Sequence, residues 1–235
     1  MAKSIGLSQA WAGEADCRHC ALRTSVLFAN LEEADFEHIH DPIDQFSLKP
    51  GTTLYHNGEQ GAHMFTVRSG ALKLVQYLSD GSQRIVRIVR TTDILGLEAL
   101  VGDCYQHTAI ALQPTEICRF PTRMVQELSH NNPQLHQELM QRWQRALTEA
   151  DAWLTQFSTG SARQRVARLL LRLAQDQNSE NCHLFRREDM GAMLGLTTET
   201  ASRTISSFKR EGLLVEFSDN QCRLDIDQLR LIAVE

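Results

Sequence analysis

The sequence predicts an α+β chain: an antiparallel roll of short strands, then one long helix, then a compact helical unit closed by a β-hairpin. Three observations carry this. Between Phe46 and Pro121, short β-type runs alternate with glycine turns. From Leu135 to Phe157, apolar residues recur at spacings of three and four without a break. Between Arg187 and Ile226, two helical stretches meet at a glycine turn and lead into two further β-runs.

A chain of 235 residues can form two modest domains, each with its own core. Its hydrophobic content of 42% and charged content of 23% are those of an ordinary globular protein. No basic and apolar leader opens the chain and no apolar run suffices to cross a bilayer, so we expect a cytoplasmic protein without a membrane partner. A reducing compartment makes a structural disulfide framework improbable for the six cysteines, of which Cys17 and Cys20 are the one close pair. The net charge of −5 is unevenly placed. From Gly160 onward eleven Lys and Arg face eleven Asp and Glu, so the acidity lies outside the last third and does not exclude nucleic acid there.

The roll is read from runs such as Met64-Phe65-Thr66-Val67, Ala71 to Val75 and Ile85 to Val89. Gly51, Gly58, Gly61, Gly70, Gly81, Gly96 and Gly102 punctuate them, and positive φ is expected at each. Asp80-Gly81 marks a hairpin. An antiparallel barrel or jelly roll results.

At Asn131-Asn132-Pro133 the pattern turns helical, since Asn caps and Pro suits a first turn. The apolar stripe Leu135, Leu139, Trp143, Ala146, Ala150, Leu154, Phe157 suits a helix packed on its own roll or a two-stranded coiled coil. Its length and two tryptophans favour the second, with Leu139, Trp143, Leu147, Ala150 and Leu154 at a dimer interface. Ser158-Thr159-Gly160-Ser161 breaks the helix as a hinge, and Val166, Leu169, Leu170 and Leu173 open the next one.

Glu188 to Leu194, the turn Gly195-Leu196-Thr197, and Thr198 to Arg210 make a helix-turn-helix, whose second helix characteristically enters the major groove of duplex DNA. Ala192 is small enough for the helices to approach, and Met193, Leu196, Ala201, Ile205 and Phe208 supply a buried side. The other face carries Thr198, Glu199, Ser202, Arg203 and Lys209. Glu accepts from cytosine N4, Arg forks onto guanine O6 and N7, and Ser serves base edges or phosphate. The same residues also make an ordinary solvated face with an i,i+4 pair Glu199–Arg203. The sequel weighs for DNA: Gly212 stops the helix, and β-runs on either side of Ser218-Asp219-Asn220 form a wing.

With these segments in hand, the chain resembles the cyclic-AMP receptor protein/fumarate-nitrate reduction regulator (CRP/FNR) family over nearly its full length. The resemblance rests on Gly51 to Gly58, Val67 to Lys73, Asp93 to Glu98, and Leu194-Gly-Leu-Thr-Thr-Glu-Thr-Ala-Ser-Arg203. It implies a cyclic-nucleotide-binding-type β-roll, a dimerisation helix and a winged helix-turn-helix. The Glu-x-x-Ser-Arg spacing is similar to the FNR branch, implying Glu199, Ser202 and Arg203 as readers of TTGAT-type half-sites in a palindrome. A homodimer on double-stranded DNA, with RNA polymerase as a further partner, follows from it. The expected domains are a Cys-containing leader (1–28), a sensory roll (29–131), a dimerisation helix with hinge (132–159) and the DNA-binding domain (160–235).

Cyclic-nucleotide members of the family place Gly-Glu-Leu at the ribose and Arg-Ser at the cyclic phosphate. Here the matching stretches are Gly96-Leu97-Glu98 and Gln106-His107, and without the phosphate Arg we expect an effector other than cyclic AMP. FNR-like members hold a [4Fe–4S] cluster, and Cys17, Cys20 and Cys118 resemble three of its four ligands, while Val26 stands near the place of the fourth. The trio also suits a redox-switched disulfide or part of a zinc site, and Cys118, in an apolar run, suits simple packing. Cys104, Cys182 and Cys222 are read as small buried hydrophobes.

Two other functions compete. A cupin-type metalloenzyme needs two His and a carboxylate at one metal, but the roll offers His56 and His63 singly and the C-terminal motif goes unused. We therefore expect no enzyme. A dimeric ligand module that never touches DNA is separable by salt, because phosphate-neutralising binding weakens steeply as salt rises.

Overall fold

The computed structural model describes Leu27 and residues 43–177, 181–218 and 221–234. These divide into two compact units, one within residues 1–76 and 87–147, the other within 77–86 and 148–235.

The strands β1 (Asp44–Leu48), β2 (Thr53–Tyr55), β3 (His63–Ser69), β4 (Ala71–Tyr77), β5 (Gln83–Arg90), β6 (Ile94–Leu95), β7 (Thr108–Ala111) and β8 (Thr115–Pro121) form two sheets, ordered β1-β8-β3-β6 and β2-β7-β4-β5. This is the expected roll. The two-residue alternation of β3 and β8 explains why both faces are buried. Met64 and Phe120 are opposed in register and face a cluster with Ile94, Leu97 and two helices. Phe65 and Val67, at the alternate positions, are buried too.

Of the punctuating glycines, Gly51, Gly58, Gly70, Gly81 and Gly96 have positive φ, as expected. Gly61 and Gly102 do not. Gly61 answers a different need, close approach: a Cβ built on it would lie 2.4 Å from the Ala99 Cβ. Positive φ appears instead at Thr92 (φ 76), in the turn between β5 and β6.

The roll does not lead directly into the long helix. A shorter helix, α1 (Thr122–Asn131), comes first and covers the sheet with Met124, Val125 and Leu128. The long helix α2 (Pro133–Gln156) then starts where the Asn-Pro signal places it, with the Asn132 side chain accepting the Leu135 N–H at 2.9 Å. Its first half packs on the roll. Leu135 and Leu139 belong to the roll's cluster and Trp143 packs against it.

In the second unit, Ser161 and Gln164 form a reciprocal capping box at the start of α3 (Ala162–Gln177), with N–H to side-chain distances of 3.2 and 2.6 Å. Val166, Leu169, Leu170 and Leu173 are buried along α3. A three-residue strand β9 (Asn181–His183), the helices α4 (Arg187–Leu194) and α5 (Thr198–Arg210), the hairpin β10 (Leu214–Ser218) and β11 (Gln221–Leu224), and α6 (Ile226–Val234) complete it. The wing is a three-stranded sheet ordered β10-β11-β9. Ile226, read above as the end of a β-run, begins α6, whose Leu229 and Ile232 are buried.

Candidate nucleic-acid interface

The turn between α4 and α5 is built on two glycines. Gly195 ends α4 in the left-handed region, at φ 62 and ψ 40, where a side chain is strained. Gly191, rather than Ala192, permits the close approach: a Cβ built there would lie 2.7 Å from the Leu196 carbonyl oxygen, while the Leu196 N–H donates to the Gly191 carbonyl at 2.9 Å. Thr197 then caps α5, its hydroxyl accepting the Thr200 N–H at 3.1 Å.

α5 buries Ala201, Ile205 and Phe208. This stripe turns Thr198, Glu199, Arg203 and Ser206 outward, with Ser202 half-buried beside them. Glu199, Ser202, Arg203 and Ser206 follow the i, i+3, i+4, i+7 rule and so share one face. Arg203 donates to Glu199 Oε1 at 2.5 Å although the two side chains are 79% and 71% exposed. In the free chain each therefore holds the other at the helix surface, in a pairing of small stabilising value. Ser206 lies one turn beyond Arg203 and was absent from the sequence-derived set; only its helical offset from Glu199 signals it.

Lys209 is placed differently. It pairs with Glu216 on β10, and that hydrogen bond holds the Glu216 carboxyl below its usual value. Lys209 thus ties the recognition helix to the wing instead of standing with Glu199 and Arg203.

Two arginines of α3 anchor the motif from behind. Arg163 forks onto Glu211, just past α5, at 2.8 and 2.6 Å, and its guanidinium lies 4.9 Å from the Phe208 ring centroid. Hydrogen bonds from Arg163 and Ser207 lower the Glu211 carboxyl to about 2. Arg165 donates to the Leu194 carbonyl at 2.7 Å, satisfying an orphan acceptor at the end of α4. The turn and the far end of the helix-turn-helix are thereby both fixed to one scaffold helix.

Residues 45–132 match the cyclic nucleotide-binding domain family and residues 164–232 the Crp-like helix-turn-helix domain family. The transcriptional activator protein FnrA of Stutzerimonas stutzeri is 30% identical over 228 residues, which is 94% of this chain and 93% of that protein. The chain belongs to the CRP/FNR family. The transcriptional activator protein Anr of Pseudomonas aeruginosa is 29% identical over 208 residues, covering 86% of this chain and 85% of its own. Among solved structures, FixK2 from Bradyrhizobium japonicum superposes with a TM-score of 0.74 at 25% identity, over 81% of this chain and 96% of that one. The chain is accordingly a DNA-binding CRP/FNR transcription regulator.

In the CRP/FNR roll, Glu98 accepts the Gln106 N–H at 3.4 Å and lies 4.0 Å from His107 Nδ1. Burial alone would raise the Glu98 carboxyl, but the neighbouring His107 and backbone N–H groups bring it below its usual value. Tyr55 stacks on Tyr105 with centroids 3.9 Å apart, and its hydroxyl is buried without a partner among the described residues. Burial, then the Glu98 charge, pushes the Tyr55 phenol well above its usual value.

Of the cysteine trio, Cys17 and Cys20 lie outside the described residues. Cys118 is half-buried on β8, packed with Trp143 against the cluster that includes Leu27. No group of three His, Cys, Asp or Glu arranged for a metal occurs among the described residues, and none of the described helices is long and apolar enough to cross a membrane.

On α2, Leu139 is 3% exposed within the chain's own roll, whereas Leu147 and Leu154 are 58% and 66% exposed. Trp143 is half-buried and Ala150 exposed. Of the expected interface residues, Leu139 therefore lies outside the uncovered face. Met140, Leu147 and Leu154 recur every seven residues with Trp143 and Ala150 between them, which is the a/d pattern of a coiled-coil seam.

Proposed function

We propose that this regulator binds a palindromic, TTGAT-like duplex as a homodimer, with Glu199, Ser202 and Arg203 reading bases and Thr198 and Ser206 contacting the adjoining backbone. The observation that carries the reading is the shared face of Glu199, Ser202 and Arg203, with Glu199 and Arg203 exposed, on a helix whose preceding turn and far end are both tied to α3. Met140, Trp143, Leu147, Ala150 and Leu154 are the proposed seam between protomers, and α2 sets the spacing of the two recognition helices. The relatives named as activators support an activating role with RNA polymerase in the cytoplasm.

The signal we assign to the roll is oxygen or redox state, not cyclic AMP. Likeness to FnrA and Anr supports it, as does the place of Cys118, on one cluster with Leu27 and with Trp143 of the seam. A [4Fe–4S] cluster on Cys17, Cys20 and Cys118 would supply oxygen sensitivity and need a fourth ligand. The described residues offer Cys118 alone of that set.

The test is a duplex titration across salt with a TTGAT palindrome and a scrambled control, alongside anaerobic purification with an optical spectrum and iron and sulfide analysis. Steep salt dependence with preference for the palindrome is expected. Equal affinity for both duplexes would remove the base-reading assignment.

A further inference from the structure

The DNA-binding unit holds two cysteines that the proposed function does not use. Cys182 is the middle residue of β9 and Cys222 lies on β11, and the antiparallel register sets them directly opposite each other. Both are buried, with their Sγ atoms 3.2 Å apart. Each looks like a small buried hydrophobe in sequence; only the register makes them a pair. Opposed residues of antiparallel strands have Cα atoms about 4.5–5.5 Å apart, inside the span of about 4.4–6.8 Å that a disulfide bridges.

We propose that Cys182 and Cys222 are an oxidisable dithiol, a modification site at which a peroxide forms a disulfide tying β9 to the wing strand β11. The Cys222 sulfur attacks one peroxide oxygen and the O–O bond breaks, leaving a sulfenic acid on Cys222. The departing hydroxide takes the Cys222 thiol proton and leaves as water. The Cys182 sulfur then attacks the Cys222 sulfur, the S–O bond breaks, and the oxygen departs as a second water with the Cys182 proton. The two sulfurs together lose two electrons, which the peroxide takes up.

The hydrogen bond between the thiols prepares this order of events. It pushes the Cys182 thiol up, as does burial, and holds Cys222 below the usual thiol value against its burial. A buried thiol alone is ordinarily inert, but here the resolving thiol is already in contact with the nucleophile. Access comes from the edge: β9 is three residues long and, among the described residues, pairs with β11 alone, so local fraying exposes sulfur without unfolding the unit. The closed ring spans α4, α5 and β10, and restricting that loop in the unfolded chain raises the unit's unfolding temperature.

The full chain is titrated with hydrogen peroxide, alkylated in denaturant, digested and mapped by mass spectrometry, with thermal unfolding followed on the same samples. We expect a linked peptide pair joining Cys182 to Cys222, lighter by two hydrogens than the sum of its halves and separated by dithiothreitol, together with a higher unfolding temperature. The link should form unchanged in Cys118→Ser, which separates it from the proposed redox sensing of the roll. In Cys182→Ala the peroxide-dependent rise in unfolding temperature should vanish, and in Cys104→Ala it should persist. Full alkylation of Cys182 and Cys222 while Cys104 is oxidised, or oxidation of either that stops short of the link, would overturn the site. A link without thermal shift would overturn its role as a lock.

Discussion

Arg142 on the long helix donates to the carbonyl of Thr92 at 3.0 Å, and Thr92 is the one non-glycine among the described residues with positive φ. A β-branched residue there is strained. The Arg142 side chain is nearly buried and bonds Glu138 at 2.8 Å, so a charged network holds the β5–β6 turn in that conformation. Two variants separate strain from tether. Thr92→Gly should raise stability by about 1 kcal/mol, because it removes the left-handed penalty. Arg142→Met should lower it by about 1–3 kcal/mol by leaving the Thr92 carbonyl without that donor, while Glu138 keeps Arg145. Urea unfolding of both variants checks the signs; a destabilised Thr92→Gly would show that the Thr side chain is needed there.

Arg203→Ala should leave the fold intact, since the guanidinium is exposed and bonds only across the helix surface to Glu199. If Arg203 reads a base, its loss costs about 1–3 kcal/mol of specific binding and relaxes preference at one base pair. Ser206→Ala, on the same face, should instead weaken all duplexes alike. Competition against single-substitution duplexes distinguishes the two effects, and undiminished discrimination by Arg203→Ala would identify a different reader.

The fold was legible where a local signal exists and obscure where only packing decides. Glycine turns announced the roll, Asn132-Pro133 announced the long helix, and Gly195 and Gly212 framed the recognition helix. Three short elements gave no such signal. The helix α1 follows directly on a strand with Pro121 at its start and no side-chain cap, β9 has three residues, and Ile226 prolongs a β-type run. The rest depended on distance along the chain. Nothing near Arg163 foretells Glu211, forty-eight residues on, nor does Cys182 foretell Cys222. The seam shows the limit of periodicity: Leu139 and Met140 both fit the spacing to Trp143, and only the burial of Leu139 in the roll tells which of them is spare.

That distinction gives the next test. Leu147→Asp and Leu154→Asp place a charge on an exposed face, so each monomer should fold while sedimentation shifts from dimer toward monomer and palindrome affinity falls. Leu139→Asp puts the charge in the roll's core and should lower thermal stability whatever the oligomeric state. An unchanged dimer in both exposed variants would move the interface off this face.

Acid should loosen the DNA-binding unit through Glu211. Its carboxyl is lowered from 4.5 to about 2 by the bonds from Arg163 and Ser207, so the unfolded chain binds the proton more tightly than the folded one. The pairing therefore contributes stability that is fully present above about 4.5 and lost as pH falls through about 2. Arg163→Gln should lower the unfolding temperature near neutrality, and its deficit should shrink between pH 4.5 and 2. A deficit that is constant across that window would assign the role of Arg163 to its contact with Phe208.

The sensor is tested by asking whether three cysteines behave as one. Cys118 packs on the same cluster as Leu27 and Trp143, so a change at Cys118 has a short physical route to α2. If Cys17 and Cys20 complete that site, removing any of the three abolishes the same response, because a shared cofactor or switch is lost whichever member is missing. A signal there can bias pairing along α2 and hence the separation of the recognition helices. Cys17→Ser, Cys20→Ser and Cys118→Ser should then show the same loss of oxygen- or redox-dependent duplex binding, each retaining the unfolding temperature of the DNA-binding unit. Different phenotypes would separate Cys118, as a packing residue, from the N-terminal pair. Three variants that all respond like the parent, with an iron-free anaerobic protein, would take the sensing role away from these cysteines.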